Sequence, residues 1–282
     1  MAGQPEFLYR YRSQTGYSRE DVEQILAHGH IRFSSPAWFN DPFDCRLTPA
    51  IDGTEAEKRR LLEDDYVPTT YWSLSPAERA EKVEELRPHA NDLLKRSVQY
   101  TVTTLIPNSG VLSLSAVSDD ILMWSHYADG HHGVSLKFDR SRLKFVQVFE
   151  EHYGEPYQRK DDSDQHEKSS EPAPVDYADL VPTINLFRDP RQAWGASVFT
   201  KSRHWSYERE WRVLVPPAGD ATGHGWRPLP RGSLAGVILG CEISHEDEQQ
   251  VREWLAMGAL QVPLFRAEKR SGRFELGMRK IK

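Results

Sequence analysis

Cysteine is scarce: the 282 residues hold only Cys45 and Cys241. They form no CxxC pair, which excludes a zinc knuckle and thioredoxin-type chemistry, and so thin a supply fits a reducing compartment. No apolar run approaches the ~20 residues that a bilayer-spanning helix needs, so no membrane partner is expected. MAGQPEFLYRYR lacks the basic-then-apolar order of a secretory leader. We expect a cytoplasmic protein, with a signal-less secretion route as the alternative. GxGxxG and GxxxxGK[ST] are both missing, so neither a dinucleotide-binding fingerprint nor a P-loop is indicated. SGVLSLS carries no GxSxG elbow, which leaves a hydrolase serine unsupported. A dominant charge is lacking too. The 36 basic and 42 acidic residues leave a net charge of −6, which argues against phosphate-backbone binding over the whole surface. Only the stretch from Arg266 to Lys282 is locally basic, and a solvated hairpin explains it.

The chain does hold many aromatic residues, 11% of the total, and alternating patterns of apolar and polar residues. EFLYRYR alternates as a strand, with Tyr9 and Tyr11 on one side and Leu8, Arg10 and Arg12 on the other. A helix follows, with Ser18 as its cap, Asp21 at the box position and Gly29 as its stop. FNDPFD reads as a turn whose aspartates, Asp41 and Asp44, bond their own backbone. Residues 54–100 read as a helical insertion opened by two capping boxes, Thr54 with Glu57 and Ser75 with Glu78, and interrupted at Pro88. VLSLS, GVSLKFD, WRVLV and LAGVILG read as strands, and SDDILMWSHYADG as a short helix between the first two. Charged residues 155–174 lack periodicity and read as a mobile loop. Ser244 with Asp247 starts a late helix, and the chain closes on a hairpin turning at Ser271–Gly272. The expectation is a single α+β domain over 1–282 with mixed, mostly antiparallel sheets.

The stretch WSYEREWRVLV concentrates the chemistry. On a strand, Glu208, Glu210 and Arg212 share a face that is either solvent or a site. Its company in the sequence, YRYR and SLS…WSHYA, suits cleavage of an N-glycosidic bond such as that between nicotinamide and ribose in NAD. A carboxylate offsets an oxocarbenium-like ribose, an arginine fork grips a pyrophosphate, a serine orients the carboxylate, and aromatic rings hold the flat base. Arg10, Ser113 or Ser115, Tyr127, Glu208 and Glu210 are the available parts, and no metal is required. His126, His131 and His132 with Asp129 match no zinc-site spacing and read as turn histidines bonding loop carbonyls.

The ordered set LYRYRS, FSSPAWFNDPFD, VLSLS, MWSHYADGHHGVSLKFD and WSYEREWRVLV resembles a bacterial domain-of-unknown-function family, the one numbered twenty-nine seventy-one, from Leu8 to about Gly240. More distantly, a Tyr-Arg strand, a Ser-x-Ser strand and a Glu-x-Glu leading a strand resemble the arginine–serine–glutamate ADP-ribosyltransferases. That resemblance implies an ADP-ribosyltransferase-like core. Arg10 or Arg12 would bind the NAD phosphates, Ser113 or Ser115 would support the site, Glu210 would be catalytic, and Glu208 would orient the acceptor. It implies NAD as substrate, a protein or nucleic acid as acceptor, and a role as a toxin or phage-defence effector. The sequence departs from that pattern in reading Ser-Leu-Ser where Ser-Thr-Ser is usual. The alternatives are a non-catalytic module that binds a nucleotide or a partner protein, with Glu210 tied to Arg212 or Arg203, and a metal-dependent phosphoesterase using Asp41, Asp44 and the histidines.

Overall fold

The computed structural model describes residues 3–146, 169–185, 187–188, 192–217 and 221–281. The chain forms two compact units. One comprises Met1–Trp38, Asn108–Val175 and Arg203–Lys282; the other comprises Phe39–Pro107 and Asp176–Ser202. The architecture is mixed α+β with a mostly antiparallel sheet. Most of the loop expected over 155–174 lies outside the described residues, up to residue 168. Beyond it, Ser169–Ser170 and Ala173–Pro174 are short strands.

The first unit is built on an eight-stranded sheet. Its order runs Leu276–Lys280, Leu264–Lys269, Leu234–Leu239, Val134–Asp139, Phe7–Arg12, Gly110–Ser115, Glu210–Val215 and Ala173–Pro174. Neighbours are antiparallel except for Leu234–Leu239 with Leu264–Lys269, which run parallel. The helix His245–Met257 connects those two, as a parallel pair requires. At the far edge, Pro174 lies opposite Trp211, and a proline is tolerated there because an edge strand needs no donor on its outer side.

Alternation along the strands assigns the two faces. Leu8, Leu112, Leu114, Val134, Leu136, Phe138, Trp211 and Val213 pack on one face with Val22, Ile25 and Leu26 of helix Gly16–His28 and with Val251 and Trp254 of helix His245–Met257. The other face carries Tyr9, Tyr11 and Ile238, covered by Met123 and Trp124 of helix Ile121–Tyr127. The first helix begins two residues before Ser18, with Thr15 in the N-cap place and no side-chain cap. Its stop is the expected one, Gly29 in the left-handed region at φ 67°.

The second unit has its own core, in which Leu61, Leu62, Val67, Val83, Ala90, Leu94 and Phe187 pack together. Helices Glu55–Leu61, Pro76–Leu86 and Ala90–Tyr100 supply most of it. Both capping boxes form, at Thr54 with Glu57 and at Ser75 with Glu78, and a 3-10 turn, Arg87–His89, carries the break at Pro88. In FNDPFD, Asp41 accepts from the Phe43 N–H at 2.9 Å and Asp44 from the Cys45 N–H at 2.8 Å. The inner carboxylate of Asp44 also lies 3.8 Å from the buried Lys201 ammonium.

Candidate functional site

The register of the central strands sets three candidate residues side by side. Tyr9 pairs with Ser115, and Ser115 pairs with Glu210. Directly opposed residues in antiparallel strands project to the same face. One step along, Ser113 pairs with Arg212. Ser113, Ser115, Glu210 and Arg212 therefore belong to the face covered by helix Ile121–Tyr127.

Glu208 joins them by a different route from the one its spacing suggests. The strand begins at Glu210, and Glu208 ends the preceding 3-10 turn, Arg203–Glu208. Between them Arg209 adopts φ 43°, a left-handed conformation that costs a non-glycine residue about 1–3 kcal/mol. Hydrogen bonds hold the kink from both sides. The Ala116 N–H donates to Arg209 O at 3.0 Å, and Ser115 Oγ donates to Glu208 O at 2.7 Å. Ser115 is thus a backbone clamp for the acidic pair. The clamp brings Glu208 inward to a relative exposure of 3%, with Glu210 at 5% and Arg212 at 0%. These values remove the reading of a solvated strand face.

Each carboxylate has a defined partner. The Tyr127 hydroxyl donates to Glu208 Oε1 at 2.6 Å; burial first, and then the Glu208 charge, raises the Tyr127 phenol above its ordinary value. Arg212 meets Glu210 as a fork, Nε to Oε1 at 2.7 Å and Nη2 to Oε2 at 2.9 Å. Aromatic rings border the pair. Tyr207 shares a 3.0 Å hydrogen bond with His126 Nδ1 and lies 6.1 Å from the Trp205 ring. Tyr9 is half-buried, and burial is the main cause that raises its phenol.

Arg10 and Arg12 lie elsewhere. They project to the opposite face of the same sheet, where Arg10 Nη2 at 3.3 Å and Arg12 Nε at 2.9 Å share one oxygen of Asp21. Arg10 Nη1 also donates to Arg32 O at 2.9 Å. Burial, reinforced by the Arg12 charge, pushes the Arg10 guanidinium down to about 9 against the pull of Asp21. The sheet therefore brings Ser115, Tyr127, Glu208 and Glu210 together and sets both candidate phosphate arginines behind it. Sequence reasoning missed Asp21 as their partner, having spent it on a helix cap. It also missed the contact between Tyr207 and His126, which joins segments distant in sequence and leaves no local signal.

The histidine-rich turn is a tight left-handed structure. Asp129, Gly130 and His131 all have positive φ, at 53°, 58° and 72°. His132 Nδ1 bonds Asp129 O at 2.8 Å, and the His131 ring stacks on Trp124 at 6.3 Å.

Comparison with known families supports part of the expectation. Residues 123–213 match the model of a family described as Protein of unknown function (DUF2971). The matched stretch includes MWSHYADGHHGVSLKFD and WSYEREWRVLV, and is narrower than the Leu8–Gly240 reach of the resemblance. Neither the curated proteins nor the solved structures gave a match. Among the described residues no helix is long and apolar enough to cross a membrane.

Proposed function

We propose that the chain is a non-catalytic binding module for a ligand of the nucleotide class, with Tyr127–Glu208 and Glu210–Arg212 as the fixed polar wall of its site. One observation carries this reading: a fully buried guanidinium engages both oxygens of Glu210, at 2.7 and 2.9 Å. A carboxylate so held has its charge answered inside the protein, where a catalytic one must keep it for the transition state. The Tyr207, His126 and Trp205 rings offer a flat base a stacking partner. Glu208, oriented by the Tyr127 hydroxyl, would accept from a ribose hydroxyl in such a site.

The NAD-consuming reading is the second. What favours it is the grouping of Ser115, Tyr127, Glu208 and Glu210 on one face. It would then need a cation other than Arg10 or Arg12 for the pyrophosphate, and its acceptor would be a protein or a nucleic acid.

Thermal shift with NAD and with adenosine nucleotides, alongside an assay for free nicotinamide, separates the two. We expect stabilisation without nicotinamide release. Release that Glu210→Gln suppresses by orders of magnitude would overturn the binding reading and put the transferase ahead.

A further inference from the structure

A second polar-aromatic surface lies at the other end of strand Gly110–Ser115, away from Ser115. There the backbone of Ser34 bridges to Val111, and strand His30–Phe33 pairs with strand Gly225–Pro228. Ile31 and Phe33 face the core. The alternate residues Arg32 and Trp226 are direct cross-strand partners. Trp38 joins them from the short 3-10 turn that follows. The Arg32 guanidinium lies 5.8 Å from the centre of the Trp38 ring and 5.8 Å from that of Trp226, and His224 packs on Trp38 at 4.8 Å. The two indoles are exposed, Trp38 at 59% and Trp226 at 38%.

Rings left this far in water contribute less to folding than they would if buried. The underlying backbone is nonetheless braced: Arg10, buried beneath, donates to Arg32 O at 2.9 Å, and Arg227 donates to Gly223 O at 3.1 Å. The two segments also lack acidic side chains: in a protein of net charge −6, residues 28–38 and 221–234 contain no aspartate or glutamate. Arg32, His30 and His224 lie on the side of the indoles, and Arg227 turns to the side of Phe33.

We infer that this surface is a stacking platform for single-stranded nucleic acid. Exposed rings interleaved with guanidinium and imidazole offer π-faces to successive bases and cations to the phosphates between them. The inference uses residues other than those of the Glu208 site and does not rest on that site's ligand.

The test is fluorescence anisotropy with a labelled oligothymidylate of about 12 nucleotides, within the span one such surface covers. Measurements run at salt from about 50 to about 200 mM. We expect binding that weakens with salt. Trp38→Ala and Trp226→Ala should each weaken it about tenfold, the usual size of one base–aromatic stack, and Trp38→Phe should restore most of the loss. Both variants remove exposed rings, and their melting temperatures, measured in parallel, should match the parent. Absence of oligonucleotide binding at low salt would overturn the inference. So would binding that neither tryptophan variant alters, equal affinity for a duplex of the same length, or binding to anionic vesicles in place of the oligonucleotide. Oligonucleotide is read by anisotropy and mononucleotide by thermal shift, so the failure of one reading leaves the other standing.

Discussion

A guanidinium withdrawn from water needs its donors answered, and removing it strands whatever answered them. Arg212→Ala would leave Glu210 as a buried charge without its fork. We expect a loss of about 3–5 kcal/mol, read from urea unfolding. Tyr127→Phe is milder. It deletes one donor to Glu208, worth about 1.5–3 kcal/mol for a bond to a charged group, and leaves the ring packing in place. His131 adds a pH dependence. Burial, helped by the Lys269 and His132 charges and opposed by Glu242, lowers its pKa from the ordinary value. The unfolded chain then binds the proton more readily, so stability is full above about 6.5 and falls as the pH drops toward the lowered value. Melting temperatures between about pH 5 and 7.5 should trace that acid limb. His131→Asn, which keeps a residue at home in the left-handed region, should flatten it.

Among the elements, the two helices on the core face meet closely at one point. A methyl group placed on Gly258 would come within 2.0 Å of Leu26 O, and the Gly258 backbone, at φ −76°, would itself accept any residue. The cost of Gly258→Ala is therefore steric, and we expect about 1–3 kcal/mol of destabilisation from overpacking, measured by thermal unfolding. Elements of this kind were legible in the sequence wherever a local rule governs them. The alternation of FLYRYR, VLSLS and WRVLV gave strands, and Thr54–Glu57, Ser75–Glu78 and Ser244–Asp247 gave caps that form as read. Even the opposed directions of Tyr9 and Arg10 were readable from period two. What was not readable is which strand stands beside which. The rows Tyr9–Ser115–Glu210 and Ser113–Arg212 come from long-range pairing, and those rows separate the arginines from the acidic pair. The position of Glu208 escaped for another reason. Strand spacing put it on the same face as Glu210, but the left-handed turn at Arg209 is imposed by Ser115 and Ala116 from a neighbouring strand, and no glycine marks it.

The whole molecule carries separate hydrophobic cores, one around Leu8, Leu136 and Val213 and another around Leu61, Leu62 and Val83. Separate cores predict separable responses. Leu62→Ala and Leu136→Ala, each costing about 2–5 kcal/mol, should lower different transitions in a calorimetric scan, and a single transition moved equally by both would refute the expectation. The eight-stranded sheet is also assembled from three stretches of chain. Phe7–Arg12 occupies its middle, yet its neighbours start only at Gly110 and Val134. At a ribosomal pace of roughly 5–20 residues per second, that strand emerges several seconds before either neighbour has been made. Through that interval Leu8, Tyr9 and Tyr11 stand uncovered on the nascent polypeptide, so the yield of folded protein from a cell should depend on chaperone supply more steeply than the stability of the finished fold would suggest.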